Sequence, residues 1–142
     1  MTRATLLALA ERVEAATGAD RALAKDIYRA LFDAPELGHP NGYGWREDDS
    51  GWWLATGEDA RTPPKTIYPP KWLTSLDAAM SLVPSGLILR NYQSSRFVPH
   101  SCEVALSWAH GGWLGNSDHS FALALTAACL RARAIAGSLP ND

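Results

Sequence analysis

Cysteine is scarce in this chain: Cys102 and Cys129 are the only two in 142 residues. Two are too few for a disulfide framework, and each lies in an apolar pattern, so both are expected as buried free thiols in a reducing compartment. No apolar run approaches the roughly 20 residues needed to span a bilayer. The stretch Ala4–Ala10 is short, and Glu11, Arg12 and Glu14 follow it at once, which reads as an amphipathic helix rather than a signal peptide. The expectation is a cytoplasmic protein without a membrane partner. An overall basic field is also missing: 13 Lys and Arg against 15 Asp and Glu leave a net charge of −2, which does not suit long nucleic acid. There is no P-loop, no dinucleotide fingerprint, and neither His-x-Glu nor Pro-Cys-x-x-Cys of the zinc deaminases. Internal repeats and low-complexity tracts are absent.

What remains is an ordinary globular composition, 46% hydrophobic and 20% charged, of a length that suits one domain over residues 1–142. The charge is unevenly spread. Between Asp33 and Asp59 seven acids face Arg46 alone, a net of −6, whereas between Ala60 and Ser101 five bases face Asp77, a net of +4. Such asymmetry fits either a basic ligand-facing surface or two solvated stretches that attract each other weakly.

The chain is organised around Tyr68-Pro-Pro-Lys-Trp-Leu-Thr-Ser-Leu-Asp-Ala-Ala-Met-Ser-Leu-Val-Pro-Ser-Gly86. Thr74 as cap with Asp77 three residues on predicts a short helix, with Leu76, Ala79, Met80 and Val83 as its apolar face. Pro84 and Ser85-Gly86 end it and turn the chain. Upstream, Leu6, Leu9 and Val13 mark a first helix that Gly18 would end in a left-handed conformation. Asp20 caps a second, with Leu23, Ala24, Ile27, Ala30 and Leu31 on one face and Pro35 just past its end. Residues from about Glu36 to Pro70 read as a Trp-rich insertion or lobe. Two turn signals, His39–Gly44 and Asp48–Gly51, separate Trp45 from Trp52-Trp53 and predict a small hairpin. Trp52 and Trp53, as strand neighbours, should not both be core residues. Thr62-Pro-Pro and Tyr68-Pro-Pro make stiff extended connections.

Beyond Gly86, Leu87–Tyr92 has strand composition, and Cys102, Val104, Leu106 and Trp108 alternate with Glu103, Ala105 and Ser107, so two antiparallel strands are expected. His110-Gly-Gly-Trp-Leu-Gly-Asn-Ser-Asp-His-Ser120 reads as a glycine-rich loop. It leads into a final helix from Phe121 to Ala136, apolar nearly all round over its first three turns and therefore deep, and stopped by Gly137 and Pro140.

The central helix Thr74–Gly86, the last helix Ala122–Ala132 and the first helix Leu6–Ala16 together resemble small phage and prophage proteins with the phage ABA sandwich domain. The likeness spans most of the chain outside Glu36–Thr62. This chain departs from the pattern with Leu87 in place of a tryptophan after the Pro-x-Gly turn, and with Ser120-Phe121 in place of Thr-Pro before the last helix. The resemblance implies a phage origin, hence a host-cell cytoplasm, and a layered helix–sheet–helix sandwich. The expected class is α+β: a small antiparallel sheet, two N-terminal helices, a short central helix and a buried C-terminal helix. No catalytic residue carries over.

Several constellations bear on chemistry. His100, Cys102, His110 and His119 lack the tight ligand pairs of a structural zinc site. Neither cysteine sits in a nucleophile motif, and Asp48-Asp49 reads as a solvated turn. Accordingly no metal, no cofactor and no catalytic residue is assigned, and a hydrolase acting through His and acidic residues is the least favoured reading. The Gly111–Ser120 loop ends at a helix N-terminus, where free amides favour an anion, although a tight strand-to-helix connection needs the same residues. Six tryptophans and four tyrosines exceed what one small core uses. Aromatics interleaved with bases suit either a nucleotide-like ligand or a homo-oligomer interface. The candidate ligand-binding set is Tyr68, Lys71, Trp72, Arg90, Arg96, His110, Trp113, Ser117 and His119. The leading expectation is a non-enzymatic, homo-oligomeric phage protein that sequesters a small anionic ligand, most concretely a nucleotide signal of bacterial immunity. The alternative is a protein-interaction module that blocks or decorates a host or phage protein through its Trp-rich surface.

Overall fold

The most apolar stretch of the chain becomes the centre of the fold in a computed structural model, which describes residues 2–38, 44–55, 65–93, 100–106 and 111–136. Helix α4 (Phe121–Ala136) starts where the Ser120 hydroxyl accepts the Leu123 amide at 3.1 Å, and every residue from Ala122 to Leu130 is buried. Burial on all sides requires neighbours on all sides. These are helix α1 (Arg3–Ala15), the short helix α3 (Leu76–Met80) and a sheet of β4 (Ile88–Gln93), β5 (His100–Ala105) and β6 (Trp113–Ser117) in the order β4-β5-β6, antiparallel throughout. Leu123, Leu125 and Leu130, fully buried, stabilise this packing by about 1.5–3 kcal/mol each. Among the described residues no helix is long and apolar enough to cross a membrane.

The middle of the stretch read as a glycine-rich loop, Trp113–Ser117, is thus a strand. Gly115 stands opposite Cys102 on the sheet face that meets α4, and a Cβ there would run into the α4 backbone at Ala124 and Ala128. Glycine is required by a close strand–helix approach, not by a loop. The expected β4 alternation is also interrupted. A bulge between Leu89 and Asn91 adds Arg90 to the strand, so Leu89 and Tyr92 pair with Val104 and Cys102 while Asn91 pairs with Glu103.

Helix α1 is capped by Thr2 and buries Leu6, Leu9, Ala10 and Val13. It ends without a left-handed residue: Ala16 turns extended and donates its amide to Val13 O, so Gly18 plays no such part. Asp20 caps helix α2 (Arg21–Leu31) as expected, its carboxylate accepting the Leu23 amide at 3.0 Å. Leu23, Ile27 and Ala30 are buried, with Ala24 and Leu31 packed beside them. The cap of α3 shifts by one residue from Thr74 to Ser75, whose hydroxyl accepts the Ala78 amide at 3.2 Å. Thr74 is held in the preceding turn by Lys71 O. Because α3 tightens after five residues into three-residue turns, its buried side is Ala79 with Leu82, while Leu76 and Met80 stay 43% and 41% exposed. Gly86, at φ 85°, then makes the turn in which Leu87 N bonds Pro84 O.

The Trp-rich region forms a second antiparallel sheet, β1 (Gly44–Glu47), β2 (Trp52–Ala55) and β3 (Thr66–Ile67), in the order β1-β2-β3. The hairpin was expected; β3 was hidden in a stretch read as an extended connection. Trp52 is buried against Tyr28 of α2, ring centroids 5.0 Å apart, while Trp53 on the opposite face is 37% exposed. Lys25, although charged, is buried beneath this sheet. Its Nζ donates to Asp48 O, pairs with Glu47 at 3.0 Å and lies 5.6 Å from the Trp52 ring centre. The turn expected over His39–Gly44, short of Gly44 itself, the stiff extended connection expected at Thr62-Pro-Pro, the strand position of Trp108, and the stops at Gly137 and Pro140 lie outside the described residues.

Candidate functional site

Concave surface gathers where α2, the β1–β2 turn and the Tyr68–Thr74 segment meet. Tyr68-Pro69-Pro70 runs extended, because proline fixes φ and withholds the amide. The chain then folds tightly, with Trp72 N bonding Pro70 O at 2.8 Å and Ser75 N bonding Lys71 O at 2.8 Å. This geometry drops Trp72 into the core and leaves Lys71 and Tyr68 outside, the latter 61% exposed. Opposite them, the first turn of α2 supplies Asp20, Arg21 and Ala24, and Ser50 closes one end. The resulting cleft is about 460 Å³, within the range of small-molecule sites. Its cations are Arg21 and Lys71. Its acid, Asp20, is engaged with the Leu23 amide.

Two further depressions adjoin it. One, of about 320 Å³, lies against Asp48, Gly51, Trp53 and Thr66 and shares Ser50 and Tyr68 with the cleft. The other, of about 380 Å³, holds Lys25, Arg29, Asp26, Glu47 and Asp49, with Arg21 in common. In that third depression Lys25 and Arg29 both pair with Glu47. The Lys25 hydrogen bond first, against a little burial, and then that of Arg29 and both charges hold Glu47 below its ordinary value of 4.5. Lys25 and Arg29 are therefore already matched. In the second depression, Asp48 Oδ1 accepts the Ser50 amide (2.8 Å), the Ser50 hydroxyl (2.7 Å) and the Gly51 amide (3.0 Å). Those bonds, the Ser50 hydroxyl foremost, hold this carboxyl below its ordinary 3.8.

The residues singled out from sequence do not converge on one pocket. Tyr68 and Lys71 share the cleft. Trp72 is fully buried, parallel to Phe32 at 6.1 Å, with its carbonyl accepting the Thr126 hydroxyl at 3.0 Å. Its ring belongs to the core and has no face left for a ligand. Arg90, added by the bulge, reaches across the sheet face turned away from α4 and donates from Nε (2.9 Å) and NH2 (2.7 Å) to Glu103 Oε1. Trp113 is half-buried, packed against the core beneath α4. Ser117 is buried, and its hydroxyl accepts the His119 and Ser120 amides at 3.0 and 3.3 Å. Those amides, with that of Leu123, are thus satisfied within the chain, so the anion site expected at this helix start is occupied by the protein's own hydroxyls. His119 is exposed at the same turn, away from the cleft. Arg96 and His110 lie outside the described residues.

Arg21 and Ser50 were missed. One reads as the first residue after a helix cap and the other as a turn residue, and nothing in their local pattern tells that the two approach Tyr68. Both cysteines are free and buried. Burial raises the Cys102 thiol to about 11 and that of Cys129 to about 12, so neither is poised as a nucleophile at neutral pH. Among the described residues, no three His, Cys, Asp or Glu side chains gather where a metal could be held. No family model, curated protein or solved structure matches this chain.

Proposed function

We propose that this chain is a non-enzymatic binder that sequesters a small anionic, nucleotide-like ligand in the cleft between α2 and the Tyr68–Thr74 segment. The observation that carries the reading is the meeting, in one open cleft of about 460 Å³, of an exposed aromatic ring, Tyr68, with two cations, Lys71 and Arg21. A ring stacks on Tyr68, and a phosphate lies between the two cations, Arg21 offering a forked donor and Lys71 a point charge. The prolines beside Tyr68 hold that wall extended before any ligand arrives, which lowers the entropy lost on binding. The resemblance to phage ABA sandwich proteins supports a nucleotide signal of bacterial immunity as the ligand. A stoichiometric sink benefits a phage without catalysis, in keeping with two cysteines that are not nucleophiles.

A second reading, a module that covers a host or phage protein, is favoured by one observation: Trp53, Tyr68 and Leu37 are exposed apolar residues on or beside the Trp-rich sheet. Incubation with a nucleotide panel, removal of free ligand and analysis of what denaturation releases separates these readings. Intact nucleotide in the bound fraction, lost when Tyr68 and Lys71 are both replaced by alanine, supports the sink. An altered nucleotide means an enzyme, and no retention from the panel leaves the interaction module.

A further inference from the structure

Tyr68 stands between two compartments, and only one of them is basic. On the Lys71 side lies the cleft described above. On the other side the ring faces the depression formed with Asp48, Ser50, Trp53 and Thr66. The chemistry there differs. Trp53 offers aromatic surface, its ring flanked by the Arg46 guanidinium 5.8 Å from the ring centre. Asp48 is held by its own turn in a single orientation: Oδ1 takes all three turn bonds, and Oδ2 has no hydrogen-bond partner among the described residues. A carboxylate oxygen only accepts, so the ligand atom it suits is a donor. Because the turn already orients the group, no side-chain ordering opposes the contact.

Resting on the cleft reading, we propose that this second compartment receives the base of the ligand and selects one carrying an exocyclic amine, which donates to Asp48 Oδ2 while the ring lies between Tyr68 and Trp53 and the phosphate points to Lys71. Asp48 is exposed, so a base without that amine leaves Oδ2 to water and forgoes one hydrogen bond to a charged group, which is the preference this site expresses.

The test compares adenosine 5′-monophosphate with purine riboside 5′-monophosphate, which has the same shape and lacks only the amine, by calorimetric titration. The expected result is tighter binding of the adenine nucleotide by about tenfold, as one good base contact is worth. Asp48→Asn keeps an oxygen for the turn amides and presents an NH2 group outward. It should abolish the difference between the two probes, leave the affinity for purine riboside monophosphate within about twofold, and leave the thermal melt in place. Equal affinities in the unaltered protein, or a preference that survives Asp48→Asn, overturn the amine contact while the cleft stands. Binding of neither probe also overturns it, and the nucleotide panel then decides the cleft reading by itself.

Discussion

Removing Glu14 should destabilise the protein more than its place on a surface helix suggests. The carboxylate sits at the free edge of β6. Oε2 accepts the Asn116 amide at 2.8 Å and Arg131 NH1 at 2.7 Å, Oε1 accepts Arg131 NH2 at 2.5 Å, and the same Arg131 donates to Leu114 O at 2.9 Å. Residues 114 and 116 turn these groups away from β5, so the ion pair occupies the place of a missing strand. In Glu14→Ala the Asn116 amide and the arginine both lose a charged partner. Hydrogen bonds to charged groups are worth about 1.5–3 kcal/mol each. The two side chains are 21% and 25% exposed, so water replaces part of what is lost. The net expectation is about 2–3 kcal/mol, or about 6–10 °C in melting temperature for a chain of this size. Urea unfolding should show a lower midpoint with an unchanged slope. Glu14→Gln keeps an acceptor for Asn116 and should recover about half. The pH dependence follows from the same contacts. Burial pushes Glu14 up, but the Arg131 hydrogen bonds, the Asn116 amide and the Arg131 charge together hold it below its ordinary 4.5. The unfolded chain therefore takes up this proton first as pH falls. The stabilisation is complete above about pH 4.5 and is lost as pH drops through the folded value. In Glu14→Gln that part of the acid limb should vanish. A Glu14→Ala melt within about 1 °C of the parent, or an acid limb identical in Glu14→Gln, would refute the reasoning.

Gly115→Ala should lower stability by more than about 3 kcal/mol or prevent folding, because the added methyl meets α4 backbone rather than a movable side chain, as urea unfolding would show. Thr126→Val should cost about 1–2 kcal/mol in the same assay, since the Trp72 carbonyl loses its buried donor. Cys102 and Cys129 should react with a bulky thiol reagent only at the rate of unfolding, and prompt labelling of either in the native protein would contradict their burial and raised thiols. Lys71→Ala should weaken nucleotide retention about tenfold with a melting temperature within about 2 °C of the parent, because Lys71 is exposed and makes no side-chain bond among the described residues.

Local chemistry was legible where it acts locally. Asp20 three residues before a bonded amide, the acidic turn between Trp45 and Trp52, and the alternation of Cys102 and Val104 each place an element without reference to distant chain. The errors occur where a distant neighbour decides. Gly115 looks like a loop residue until α4 is laid across it, and Gly112 until β5 is laid beside it, and β6 disappears from the pattern for that reason. The cap at Ser75 rather than Thr74 is the exception: the tight turn just before it, in which the Lys71 carbonyl takes both amides, decides between two residues equivalent on paper. Of the candidate site, Tyr68 and Lys71 were visible as aromatic and base beside prolines. Arg21 and Ser50 reach them only because α2 carries the small sheet on its flank. Lys25 is the clearest such case, a lysine on a helix whose burial is set by Trp52, Glu47 and Asp48 more than twenty residues away.

That buried lysine also marks a dependence. Strands of four, four and two residues gain little stability by themselves, so the Trp-rich sheet depends on the α2 face that presents Tyr28 and Lys25. The sheet is correspondingly expected to open before the core: its opening needs the loss of the Trp52, Lys25 and Arg29–Glu47 contacts, while α4 and the larger sheet keep theirs. The cleft lies along this seam, with one wall on α2 and Ser50 from the departing side. A ligand seated there bridges the seam, and its affinity is added to the free energy of that opening. Slower hydrogen exchange at the Ser50 and Gly51 amides would accordingly register binding many residues from the core whose exchange stays the same.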